Sequence, residues 1–217
     1  MYRPTPIALL LGVSLAGCQQ AAMRPPSAAR PSVVLEEPEA WRQTATPAGI
    51  AAVEALDSGW GAALAEIRRR GGTRAIDAEE PLLDPAAALP RAAPAPGAYR
   101  CRVLRLGAAG GRTRGLSVSR SAFCFVGVEG DQLSLTTEVP GHRLGGYLYD
   151  TPSSARLIFL GASAPARGRA PGYGENLPLD KAGRFERVDD FRYRLILPGA
   201  AAPEVHIFEL IAAPPVS

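Results

Sequence analysis

The chain has 217 residues, 24 Lys+Arg against 21 Asp+Glu for a net charge of +3, and 47% hydrophobic residues. Alanine supplies 38 of that hydrophobic class, so the core is modest, though the chain still clears the composition of a disordered protein. Composition excludes a coiled coil, a collagen-like chain and a polytopic membrane protein, and length allows one domain or one domain with a tail. Of the basic residues 23 are Arg and one is Lys181, which with high Ala, Gly and Pro reads as codon bias more than chemistry.

Residues 7–17, IALLLGVSLAG, form an apolar run behind Arg3. The run is shorter than the about 20 residues a helix needs to cross a bilayer, and it fits the apolar region of a secretory signal. It ends in Leu15-Ala16-Gly17-Cys18, which resembles a bacterial lipobox. Small residues admit the peptidase to the backbone, and the Cys18 thiol accepts the lipid. The alternative is an ordinary signal peptide with a chance cysteine. One acyl chain holds a protein weakly, and several anchor it almost irreversibly. Gln19, where Asp would signal retention, resembles the sorting pattern for the outer membrane. The expected location is the periplasmic face of the bacterial envelope. Cleavage removes Arg3 and leaves 23 basic against 21 acidic residues, or +2. Charge and compartment together argue against a nucleic-acid partner.

The order expected along the chain is a leader over 1–17, a flexible tether over 18–46, a helix over 47–72, a Pro-rich connector over 73–98 and a β domain over 99–212. The tether is rich in Ala, Pro, Gln and Ser, and Trp41 is the one residue in it suited to docking on the domain. In the helix, Ile50, Val53, Leu56, Trp60, Leu64 and Ile67 recur at three- and four-residue steps and form one apolar stripe. Thr46 suits its N-cap, Pro47 its first position, and Gly71 and Gly72 its end. Arg68, Arg69 and Arg70 complement the dipole at its last turn. Five prolines in residues 81–98 favour extended chain, as a stiff connector or a wrap across the domain.

From Tyr99 the pattern changes to short β-favouring runs: 99–106, 116–119, 122–128, 132–139, 144–149, 156–161, 184–188, 191–197 and 204–211. Glu129-Gly130-Asp131 and Asp189-Asp190 are turn signals. Roughly eight strands at this spacing predict a mainly β fold, a small antiparallel barrel or sandwich preceded by one amphipathic helix. Cys101 and Cys124 remain after lipidation, and an oxidising compartment makes their pairing the default. The absence of CxxC and of a nearby His cluster disfavours a redox or metal role.

No nucleophile elbow, HExxH, Walker A loop or GxGxxG is present, so no catalytic residue is assigned and no cofactor or metal is expected. The glycine-rich segment 107–111 reads as a hairpin loop rather than a phosphate cradle. His206 reads as a partly buried residue on the face of Phe208 and Leu210. His142, in Pro140-Gly141-His142-Arg143, is better placed for acid–base work or anion binding, although an inert loop histidine explains it as well. Arg100, Arg102, Arg105, Arg112, Arg114 and Arg120 could meet an anionic envelope polymer, lipid A phosphates or peptidoglycan carboxylates. Solvated faces and intramolecular ion pairs are the competing explanation. Tyr147 and Tyr149 share a strand face and are candidates to line the barrel interior and a ligand cavity, against simple core packing. Asp180 and Glu186 show no partner carboxylate arrangement.

The segments Leu82-Leu83-Asp84-Pro85 and Pro96-Gly97-Ala98-Tyr99-Arg100-Cys101-Arg102 with Leu106-Gly107 open a recognisable series. It continues with Phe123-Cys124, Gly146-Tyr147-Leu148-Tyr149-Asp150 and Phe159-Leu160-Gly161-Ala162. Tyr173-Gly174, Glu186-Arg187, Arg194-Leu195-Ile196-Leu197-Pro198 and Glu209-Leu210-Ile211 complete it. In order and spacing the stretch from about Trp60 to Ile211 resembles the bacterial domain-of-unknown-function family 4893, whose members are exported and often carry a lipobox. The resemblance implies a Cys101–Cys124 pair and supplies no activity. The family's Gly-Ser-Gln-Arg turn is here Pro140-Gly141-His142-Arg143, and its Arg-Asp pair is Leu179-Asp180. His142, Arg143 and Asp180 are therefore the candidate polar site.

Three functions follow as expectations. The first is a non-enzymatic envelope lipoprotein whose β domain binds a small ligand or a partner. The second is a structural protein at peptidoglycan or lipopolysaccharide. The third is a periplasmic hydrolase built on His142, Arg143 and Asp180.

Overall fold

The computed structural model describes residues 39–107 and 114–213. The leader, Cys18, most of the tether and Arg112 lie outside the described residues.

Nine strands follow one another: β1 (Gly97–Leu106), β2 (Leu116–Val118), β3 (Ala122–Glu129), β4 (Gln132–Thr137), β5 (Leu144–Asp150), β6 (Arg156–Ser163), β7 (Asp180–Asp189), β8 (Arg192–Pro198) and β9 (Val205–Ala212). Each run read from the sequence becomes one of them, with ends shifted by a few residues. All neighbours are antiparallel, and β9 returns to pair with β1 from Tyr99↔Ala212 to Leu106↔Val205. The sheet is thus a closed eight-strand barrel with one additional strand, and the sandwich alternative falls away. The additional strand, β2, pairs with the last part of β1, while β3 pairs with the first part. Ser119 fills the interruption between them: its hydroxyl accepts from the Val103 amide at 2.8 Å. Closure gives each of the eight barrel strands a neighbour on both sides, which for a small core is also protection against edge-to-edge association, and β2 pairs with β1 alone.

Side-chain alternation sorts the core into layers. Tyr99, Cys101, Val103, Leu135, Leu148, Phe159, Phe185, Leu195, Phe208 and Leu210 pack inside the barrel. Cys101 and Cys124 are joined there as a disulfide with Cα atoms 6.0 Å apart, tying β1 to β3. The outer wall is also apolar where helices cover it. Leu104, Leu106, Ile196, Val205 and Ile207 meet Leu56, Trp60, Leu64 and Ile67. Burying each of those large helical side chains contributes about 1.5–3 kcal/mol.

The single helix expected over 47–72 is two, α2 (Pro47–Glu54) and α3 (Leu56–Arg69), separated at Ala55 and preceded by α1 (Ala40–Thr44). Thr46 caps α2 as expected, its hydroxyl accepting from the Gly49 amide at 3.1 Å. The apolar stripe divides accordingly. Ile50 and Val53 rest with the buried Trp41 on Ile158, Leu160 and Ala182, while the α3 residues serve the other wall patch. A straight helix could not follow the curved wall across both patches. A further short helix, α4 (Thr73–Asp77), occupies the start of the segment expected to be connector.

A charged cluster is sealed beneath the helices. Glu186 is 0% exposed and sits 2.6 Å from Arg194, 2.7 Å from Arg184 and 3.4 Å from Arg156. Arg184 also meets Asp57 of α3 at 2.7 Å. Arg194 lies 4.6 Å over the Trp60 ring and donates to the carbonyls of Leu82 at 2.9 Å and Asp84 at 2.7 Å. Arg184 Nε and Nη2 and Glu186 Oε1 make no aligned hydrogen bond, so those contacts hold as ion pairs. This cluster latches α3 and the 81–84 segment to β7 and β8.

Candidate functional site

The two ends of the barrel differ. One is stoppered by the Pro-rich segment, which wraps across it. Leu89 bridges to Arg187, the Ala92 amide donates to Ser154 O at 3.0 Å, and the Ala92 side chain joins the inner core. Tyr99 donates its hydroxyl to Ala95 O at 2.7 Å, and burial raises that phenol to about 12.

The other end opens into a recess of about 500 Å³. Its floor is Leu144, Leu197 and Phe208, all members of the inner core. Its rim carries Arg105, His142, Arg143, Lys181 and His206, with Ser163, Pro198 and Gly199 between them. Five cationic or titratable side chains thus surround an apolar floor within the size range, ~300–1,000 Å³, of small-molecule sites.

Local structure explains each position. Residues 138–143 connect β4 to β5, and Gly141, at φ +75°, takes the left-handed step that turns the loop back. Buried Thr137 pins the loop: its hydroxyl donates to His142 O at 2.7 Å and accepts from the Leu144 amide at 3.2 Å. The His142 ring then stands edge-on to His206, centroids 5.2 Å apart, and near Phe208 at 6.2 Å. Arg105 faces His206 across the β1–β9 pairing. Glu204 accepts from Arg105 at 2.7 and 3.0 Å and from His206 Nε2 at 3.0 Å. Burial pulls His206 below the ordinary histidine value of 6.5, only partly offset by its hydrogen bond to Glu204, and His142 and Arg105 lower it further. The ring is therefore neutral at neutral pH, with Nε2 carrying the proton given to Glu204. Burial alone would raise Glu204, but the hydrogen bonds from His206 and Arg105 outweigh it and the carboxyl lies below its usual range. Arg143 is bound to Glu138 at 2.9 Å. Lys181 donates to its own neighbour's carbonyl, Asp180 O, at 3.2 Å, and forms no ion pair among the described residues.

The candidate polar trio is therefore only partly assembled. His142 and Arg143 share the recess, but Asp180 does not line it. Strand phase turns Asp180 away from Lys181, and its carboxylate accepts from the Gly174 amide at 3.1 Å. No hydrogen bond joins Ser163 to either histidine, and among the described residues no three His, Cys, Asp or Glu side chains gather as a metal site. The arrangement suits holding an anion rather than activating a nucleophile.

Tyr147 and Tyr149 do not line the barrel interior. Leu148, between them, points inward, so both tyrosines lie on the outer wall. Tyr149 packs beside the Trp41 cluster. Tyr147 donates to Glu129 at 2.6 Å in an outer cleft of about 480 Å³ with Arg169 and Tyr173. The basic cluster is in part committed to internal partners. Arg102 takes Glu79 and Glu209, Arg105 takes Glu204, and Arg114 donates to Gly71 O. Lys181, Leu197 and Phe208 were not candidates for a site from sequence, and Arg105 was one only as a member of the basic cluster. For Arg105 the signal was available, since it is in phase with Cys101 and Val103 on the inward face.

A closed meander barrel, stoppered at one end and recessed at the other, defines a small β-barrel domain with no catalytic constellation among the described residues. A family model described as Domain of unknown function (DUF4893) matches residues 41–210, and the chain belongs to that family. No curated protein and no solved structure matches it. Several of the family-like segments meet in the latch around Glu186 and Arg194 rather than at the recess, which assigns them to holding the fold.

Proposed function

We propose that this chain is a non-enzymatic binding protein of the bacterial envelope, exported through residues 1–17 and held by lipid on Cys18, and that its barrel takes a small ligand into the recess at its open end. The observation that carries the reading is the recess itself: an apolar floor continuous with the barrel core, ringed by cationic and histidine side chains on rigid strands and a pinned loop. Contact with peptidoglycan or lipopolysaccharide has less support, because Arg102 and Arg105 are committed to internal carboxylates.

Titration with 1-anilinonaphthalene-8-sulfonate tests the recess. One saturable fluorescent site is expected, lost when Ser163→Trp fills the cavity while near-ultraviolet circular dichroism stays native. Binding unchanged by that substitution would remove the recess as the site. The anchor has its own check. Labelled palmitate should enter the wild-type chain and not Cys18→Ala, and equal labelling of both would contradict it.

A further inference from the structure

The charges around the recess add up to a definite ligand type. Arg105 is neutralised by Glu204, and Arg143 by Glu138. Both histidines lack carboxylate neighbours beyond Glu204, and His206 is held neutral by burial. Lys181 remains, half-buried on the inward face of β7, with a backbone carbonyl as its hydrogen-bond partner and no counter-charge among the described residues. The recess therefore carries one uncompensated positive charge above an apolar floor. A neutral ligand would leave the ammonium unpaired as the site dries, and a dianion would bring in one excess negative charge. Lysine presents a compact point charge rather than a planar fork, so it selects for charge more than for head-group shape.

We infer that the ligand of this recess is a small amphiphilic monoanion, its head group paired with Lys181 and its apolar tail laid on Leu144, Leu197 and Phe208. The inference rests on the recess being the binding site. It makes Lys181, the one lysine of the chain, the specificity-determining residue.

Calorimetric titration of the chain from residue 18, carrying Cys18→Ser to keep it free of lipid, tests this at about pH 8, where buried His206 is neutral. The probes are decanoate, decanol and decyl phosphate. Decanoate should bind one to one, with decanol about tenfold or more weaker for lack of the charged hydrogen bond. Lys181→Met should bring decanoate down to the level of decanol, and Lys181→Arg should keep most of its affinity, with melting curves showing both variants folded. Equal binding of decanol and decanoate, or indifference of decanoate to Lys181→Met, would overturn the monoanion while leaving the recess as a site. Decyl phosphate binding about tenfold tighter than decanoate would overturn the charge count. Failure of all three probes would overturn both the inference and the recess.

Discussion

Replacing Glu186 with alanine is expected to lower folding stability by about 3–5 kcal/mol, the cost of stranding buried charge. Glu186 is fully buried, and its removal leaves Arg194 at 0% and Arg184 at 5% exposure without their shared counter-ion. Asp57 remains to pair with Arg184. The carbonyls of Leu82 and Asp84 still accept from Arg194, but neutral dipoles cannot cancel its charge. Burial already holds Arg194 below the ordinary guanidinium value, with the Glu186 charge working against that loss. The same argument predicts partial rescue. In Glu186→Leu with Arg194→Met the surviving Asp57–Arg184 pair is balanced, so at least half the loss should return. Urea denaturation of the three proteins measures both effects. A single-variant loss under about 1 kcal/mol, or no rescue in the double variant, would show that the cluster does not latch the helices to the barrel.

Removing the disulfide should cost nearly as much. Cys101 and Cys124 are 23 residues apart, and freeing a loop of that length gives the unfolded chain about 3.5 kcal/mol of entropy. Set against the 5–15 kcal/mol typical of whole domains, roughly, that is a large share. Cys101→Ala with Cys124→Ala should therefore melt about 7–14 °C lower, at about 2–4 °C per kcal/mol for a domain of this size. The wild-type protein under reductant should fall by a similar amount. A change under about 3 °C in both would mean that β1 and β3 are held by the barrel alone.

The strand runs were legible because turn residues punctuate them, and each one is found in the sheet, eight of them closing the barrel. Closure was not, since Tyr99↔Ala212 joins opposite ends of the β domain and leaves no local trace. Facing was misread at Tyr147 and Tyr149 for a physical reason. Helices cover much of the outer wall, so strands such as β6 and β8 are buried on both faces and polar alternation vanishes there. Periodicity placed the two tyrosines together but could not say which side was inside. The helix read as one stripe because local spacing ignores the curvature of the wall it must follow.

The candidate site was legible in part. His142 and Arg143 stood out as polar residues in a glycine turn, and both line the recess. Their neighbours there, Arg105, Lys181 and His206, come from three distant strands that only barrel closure brings to one rim. Asp180 was drawn in by its likeness to a family motif, and strand phase puts it on the other face. Arg102 and Arg105 looked free because their partners, Glu79, Glu204 and Glu209, are remote in sequence.

Nitrogen-resolved NMR of the chain from residue 18, titrated with 1-anilinonaphthalene-8-sulfonate, asks most directly where a ligand sits. Shifts should gather on Arg105, His142, Leu144, Lys181, Leu197 and His206 at the open end of the barrel. Shifts centred instead on Glu129, Tyr147 and Arg169 in the outer cleft, or on the exposed Phe123 and Phe125 of β3, would contradict a ligand site at the barrel mouth.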